Sequence, residues 1–217
     1  MNSKYWTAKK LAETYRARIV VVSKNQSLEN ISRIYDYGQR EFAENRFQNL
    51  SQRKSDLPAD IHWHMIGHLQ SNKVKPIIPL VRMIQSVDSS KLAILISQAS
   101  EKFGITLDGL IQIKISRDEG KSGIQYDELL RSLDAGEWAS LDHLRIRGVM
   151  GISSLDGKTT RNEFKMLRSH FDHLRSNYFS KYETFDTISM GMSSDYEIAL
   201  EEGSNMIRLG SYVFEDL

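Results

Sequence analysis

Cysteine is absent from all 217 residues. A disulfide framework, a thiolate nucleophile and a thiolate metal site are therefore excluded. Only three prolines occur, and no Gly/Ser-rich linker interrupts the chain, so nothing marks a domain boundary. No apolar run approaches the roughly 20 residues needed to span a bilayer. The opening Met1-Asn2-Ser3-Lys4-Tyr5-Trp6 has no apolar signal core, which leads to the expectation of a cytoplasmic protein. An excess of one charge is missing too. The formal net charge is +1, so there is no global argument for nucleic acid or an acidic membrane as a partner. What remains is an ordinary soluble composition, on a chain long enough to bury about 70% of its unfolded surface.

What is present is an alternation of strand and helix. A helix is expected around Thr7–Ala17. The first strand, Ile19–Ser23, is rich in β-branched residues, as a buried parallel strand is. Leu28, Ile31, Ile34 and Tyr35 fall at helical spacing and stop at Gly38. Further strands are expected at Glu41–Ala43, Ile61–Ile66, Met83–Val87, Leu110–Ser116, Leu144–Met150, Phe185–Met190 and Asn205–Leu209. Between them lie helices from Asn45 to Arg53, Gln70 to Ile77, after a cap at Asp88, Tyr126 to Ala135, Asn162 to Tyr178, and Ser194 to Glu202. Eight strands separated by helices predict a closed (β/α)8 barrel with an extra N-terminal helix; a doubly wound open sheet is the alternative.

In a barrel of this kind the strand C-termini line one mouth, where the chemistry sits. Lys24 follows strand one. An amine there, if desolvated, can lose its proton and attack a carbonyl carbon to form a Schiff base; an ordinary loop lysine is the plain alternative. Ser193 and Ser194 follow strand seven, and Gly210 and Ser211 follow strand eight. Barrels often bind phosphate with these two loops, although helix capping by Ser193 or Ser194 accounts for the first equally well. Arg208 is out of place in an apolar strand, where a buried guanidinium needs a partner. It reads as an ion pair, or as a donor pointing into the mouth.

Two other motifs bear on chemistry. His62 and His64 share a strand face, but nothing is spaced to complete a metal site with them, and His64 reads better as a packing or ring-stacking residue. Lys121-Ser122-Gly123 resembles half a phosphate loop without the full glycine-lysine spacing, and reads as a contact or gating loop. No nucleophile elbow and no dinucleotide fingerprint occur.

The segments VVSKNQ, GQREFAEN, IHWHMIGHLQSNKVK, SVDSSKLA, IQIKIS with KSGI, RIRGVMGI and ISMGMSSDYEIALEEGSNMIRLGSYVF resemble, in order and spacing, the YggS/PROSC-type pyridoxal 5′-phosphate homeostasis proteins. The resemblance runs from about Arg18 to Phe214. It implies one domain over residues 1–217, a barrel like the N-terminal domain of alanine racemase, and pyridoxal 5′-phosphate (PLP) held as a Schiff base. It implies that Lys24 carries the cofactor, that Ser193, Ser194, Gly210 and Ser211 surround its phosphate, and that Arg208 faces the pyridine nitrogen. Asn45, His64 and Met150 are implied near the ring. The chain departs from the family pattern at three places. Ala43-Glu44-Asn45-Arg46 stands where Gly-Glu-Asn-Tyr is usual. Gln26 stands where many members have a second lysine, so a lysine-to-lysine relay is not implied. The end Val213-Phe214-Glu215-Asp216-Leu217 lacks the usual glycine and basic tail.

The function implied is intracellular carriage and homeostasis of PLP, without dedicated turnover and with no metal. PLP-dependent apo-enzymes are the candidate recipients, and a monomer or weak dimer is expected. An arginine at the ring nitrogen fits this, because it weakens the electron sink on which pyridoxal catalysis depends. Weak amino-acid racemisation is the alternative. Racemases of this fold type take a second acid/base from another domain, and none is expected here. A barrel enzyme acting on a phosphorylated metabolite without PLP is the third reading.

Overall fold

The computed structural model describes residues 3–118, 120–154 and 159–217. Within these, a helix α1 (Ser3–Thr14) leads into β1 (Arg18–Val22), followed by α2 (Leu28–Asp36), β2 (Glu41–Glu44), α3 (Phe47–Asp56), β3 (His62–Met65), α4 (Ser71–Ile77) and β4 (Met83–Val87). The second half runs α5 (Ser90–Lys102), β5 (Leu107–Gln112), α6 (Tyr126–Asp134), β6 (Leu144–Met150), α7 (Thr160–Asn177), β7 (Thr187–Ser189), α8 (Tyr196–Glu201), β8 (Met206–Leu209) and α9 (Ser211–Phe214). The eight strands are parallel and close into a barrel in chain order, with β8 returning to β1 through Val20 opposite Arg208. The closed barrel, not the open sheet, is the architecture.

Two apolar layers follow from strand alternation. Outward residues such as Val21, Phe42, Trp63, Ile84, Ile111 and Val149 pack under the helices in one large core. Inward residues Val20, Val22, Ala43, Met83, Leu110, Met150 and Met206 fill the barrel in a second cluster. Helices contribute at three- and four-residue spacing: Ile31 and Ile34 from α2, and Phe164, Leu167, Phe171 and Leu174 from α7. Phe171 and Phe179 stack on Phe185 with centroids 5.1 and 4.3 Å away.

Several boundaries differ from the sequence reading, each for a local reason. β5 begins at Leu107 rather than Leu110 and ends at Gln112 rather than Ser116. Asp108 and Gly109 disguise its start. Asp108 is tolerated in a strand because Arg145 Nε donates to its Oδ1 at 2.6 Å. Ile113 then leaves the barrel to bridge with Ile124. Helix α5 is capped by Ser89, whose Oγ accepts from Leu92 N at 3.2 Å, not by Asp88. Asp88 instead meets His68 Nδ1 at 3.0 Å. Pro76 lies inside the last turn of α4 rather than ending it, and the chain tightens into a 3-10 turn at Ile78–Leu80. Helix α9 was not anticipated; four residues are too few to show a helical period.

Candidate functional site

At the mouth, Lys24 continues the inward parity of Val20 and Val22, two residues beyond the last strand residue. It is exposed. Burial therefore does not supply the desolvation that a Schiff-base amine could use. What the fold supplies is a braced loop. Ser23 is buried, and its Oγ donates to Glu44 Oε1 at 2.6 Å. Arg53 Nε meets the same carboxylate oxygen at 2.9 Å, and Arg53 Nη2 donates to Gln26 O at 3.0 Å. Between these anchors Asn25 takes a left-handed conformation, with φ of 61°, which asparagine tolerates better than most residues. Gln26 accepts from Asn30 Nδ2 at 3.2 Å and so serves helix α2.

Asn45 is half-buried on the neighbouring loop, at a cavity of about 200 Å3 shared with Phe47, Met65, His68 and Lys73. Gly67 presses on it: a Cβ built at Gly67 would lie 2.1 Å from Asn45 O. No side chain fits there, which explains the glycine without any left-handed backbone.

Arg208 is 2% exposed. Its Nη1 donates to Ser189 Oγ at 2.7 Å and its Nη2 to Gly151 O at 2.9 Å. No carboxylate lies within ion-pair distance of it among the described residues, so the ion-pair reading does not hold. Burial pushes the guanidinium down to about 10, with the charge of Asp195 acting the other way. It stays protonated at neutral pH. His64 comes from β3. It is 1% exposed, inside the barrel, with Nδ1 2.8 Å from Gln85 Nε2. Burial holds it down to about 3, helped by the charges of Arg18, His62 and Arg82. Met150 is fully buried in the inner apolar cluster and floors the mouth.

The two loops expected to hold phosphate come together. Gly191, at φ of +93°, turns the chain after β7, and a Cβ there would lie 2.5 Å from Ala199 Cβ. Ser193 does not cap α8. Its Oγ accepts from Gly210 N at 3.1 Å and Tyr212 N at 3.3 Å, so two amides of the β8–α9 turn converge on one oxygen. Asp195 occupies the cap position of α8, yet its carboxylate turns away, accepting from Met192 N at 2.6 Å and Ser153 Oγ at 2.5 Å. Ser194 and Ser211 are exposed, and Gly210 is half-buried. A Cβ at Gly210 would meet Val22 at 3.5 Å, an ordinary contact; glycine there leaves the mouth open rather than avoiding a clash.

The remaining motifs resolve simply. Lys121 pairs with Asp118 at 2.9 Å and donates to Ser153 O, while Ser122 O accepts from Gln112 Nε2 at 2.9 Å. This loop braces the ends of β5 and β6. No group of three or more metal-binding side chains occurs among the described residues. Reading the sequence missed Gln85 and Ser189 as neighbours of the site. One signal existed: Gln85 and Ser189 are polar side chains at inward positions, the first in step with Met83 on β4 and the second on β7.

The profile of the family described as "Alanine racemase, N-terminal domain" matches residues 2–217. A pyridoxal phosphate homeostasis protein from Helicobacter pylori is 34% identical over 203 residues, covering 92% of this chain and 87% of the relative. The one from Synechocystis is 36% identical over 206 residues, covering 92% and 91%. The structure of PipY from Synechococcus elongatus with PLP bound superposes with a TM-score of 0.82 at 30% identity, covering 95% of this chain and 99% of that one. A barrel closed in chain order, a lysine after its first strand and serine-glycine loops after its last two thus coincide with similarity along nearly the whole chain, and the protein belongs to the pyridoxal phosphate homeostasis protein family, within the alanine racemase N-terminal domain group.

Proposed function

We propose that this protein binds PLP at the barrel mouth, held covalently by Lys24, and keeps and hands on the cofactor rather than turning over a substrate with it. The observation that carries this is Arg208: a buried cation beneath the mouth whose hydrogen bonds, among the described residues, go to neutral acceptors. A buried charge without a counter-ion is costly unless something else offsets it. A polyanionic ligand with an aromatic nitrogen acceptor fits that need. The donor set fits as well. Two amides already converge on one oxygen at Ser193, an arrangement suited to a phosphate oxygen.

When bound, PLP supplies an aldehyde that captures an amine and a ring that draws electron density from it. The chain's own residues do the rest. Lys24 offers its amine from an exposed, braced loop, which suits both loading and release. Ser193, Ser194, Gly210 and Ser211 would hold the phosphate. Met150 and Asn45 would bound the ring. Arg208 would donate to the ring nitrogen and keep its own proton, because its affinity for that proton exceeds that of a pyridine by many orders of magnitude. That leaves the ring a weak electron sink and argues for storage over catalysis. The naming of relatives as homeostasis proteins agrees. PLP-dependent apo-enzymes are the recipients this reading suggests.

The test is spectroscopic. Purified protein titrated with PLP should develop a visible band that borohydride abolishes, and mass mapping should place the reduced adduct on Lys24. Lys24→Ala should show no adduct. A wild-type protein without the band sinks the proposal; an adduct persisting in Lys24→Ala sinks the role of that residue.

A further inference from the structure

A line of polar side chains crosses the barrel interior and ends on Arg208. A guanidinium can only donate, so Arg208 Nη1 gives its proton to Ser189 Oγ at 2.7 Å. The hydroxyl's own proton points to Gln85 Oε1 at 2.7 Å. With Oε1 engaged, Gln85 Nε2 donates to His64 Nδ1 at 2.8 Å, and also approaches Met206 Sδ at 3.2 Å. His64 Nδ1 therefore carries a lone pair, and its ring proton sits on Nε2, the edge facing Glu41 Oε1 at 3.9 Å. Gln85 and Ser189 are fully buried, and His64 and Arg208 nearly so. Every donor in the chain points the same way, from the mouth toward the barrel floor.

We infer that Ser189, Gln85 and His64 are positioning residues, an uncharged relay that fixes the orientation of Arg208 toward the cofactor ring and leaves its charge uncancelled. This rests on the PLP reading above. The neighbouring inward positions are apolar: Val20, Val22, Met83, Leu110 and Met206. Three polar side chains among them are tolerated only because each satisfies the next, and removing one orphans its neighbour. A carboxylate in place of Ser189 would hold the arginine equally well but would cancel its field at the mouth. Neutral acceptors avoid that. The relay stays neutral because His64 is desolvated and faces Arg18, His62 and Arg82, with Glu41 opposing them. In this arrangement Arg208 presents a fixed charge rather than a titrating one.

Two measurements test it. On cofactor-free protein, 15N NMR of the His64 ring should show a neutral imidazole protonated at Nε2 that does not titrate between about pH 5 and 9. Gln85→Glu, which preserves shape, should convert it to an imidazolium. A ring protonated at Nδ1 in wild type overturns the relay whatever the cofactor does. On loaded protein, Ser189→Ala and Gln85→Leu should each weaken PLP binding by about tenfold, the worth of one charge-assisted hydrogen bond. Each should also shift the pH midpoint of the visible band, which a merely structural role would not move. Gln85→Glu keeps an acceptor for Ser189 and should bind more tightly than Gln85→Leu. Ser189→Ala removes one hydroxyl and is least able to disturb folding, so it decides the matter if Gln85→Leu does not fold. Unchanged affinity and an unchanged band midpoint in Ser189→Ala, with a normal adduct in wild type, overturn the relay alone. No adduct in wild type overturns the PLP reading instead.

Discussion

Replacing Arg208 with methionine should leave the cofactor-free fold nearly as stable as wild type while impairing PLP binding. Methionine is unbranched and adaptable, so it can fill the vacated space. Two opposing changes set the stability. Burial depresses the guanidinium to about 10, a desolvation penalty of roughly 3 kcal/mol that the substitution relieves. Against it, Ser189 Oγ and Gly151 O lose their donor, and each orphaned acceptor costs about 1–3 kcal/mol. The net should lie within about 3 kcal/mol of wild type, below or level with the 3–5 kcal/mol expected had a buried ion pair been broken. The sign with pH follows. A cation whose folded value lies below its unfolded one is destabilising at every pH below about 10, and the penalty recedes only as pH rises beyond that. The gap between wild type and Arg208→Met should therefore be flat across about pH 6 to 9. Urea denaturation of both proteins without cofactor measures that gap. Titration with PLP followed by absorbance should show affinity down by about tenfold or more, the loss of a hydrogen bond from a charged donor. A variant destabilised by more than about 4 kcal/mol would make Arg208 a structural residue after all. Unchanged affinity would remove it from the cofactor site.

Three other outcomes are expected. Gly67→Ala forces a Cβ onto Asn45 O and should cost about 1–3 kcal/mol in chemical denaturation, with Asn45 displaced from the mouth; a neutral effect would mean the loop yields freely. His64, held to about 3 against 6.5 when unfolded, refuses a proton that the unfolded chain accepts. Its contribution is intact above 6.5 and lost as pH falls from there toward 3, by about 1.4 kcal/mol per unit. His64→Gln should accordingly lose less stability on acidification than wild type, and parallel curves would contradict the neutral buried ring. Ser193→Ala and Ser211→Ala should each weaken PLP binding by about 1 kcal/mol or somewhat more; unchanged affinity in both would displace the phosphate from these loops.

The alternation of apolar strands and amphipathic helices was enough to read the barrel, its strand order and the end at which chemistry sits. β4 and β6 were legible to the residue, at Met83–Val87 and Leu144–Met150. Lys24, Ser193, Gly210 and Arg208 were legible as positions, since a period of two and a strand end place them at one mouth. Their environments were not. Lys24 turned out exposed and braced through Ser23 and Glu44, Ser193 holds the opposite loop rather than a helix cap, and His64 is bonded to Gln85 inside the barrel. The sequence by itself determined which residues face inward, because alternation is a local property of an extended chain. Only the tertiary structure decided which inward residues meet. Arg208, Ser189, Gln85 and His64 come from four different strands, and their hydrogen bonds exist only once closure of the barrel sets the stagger between strands that are distant in sequence.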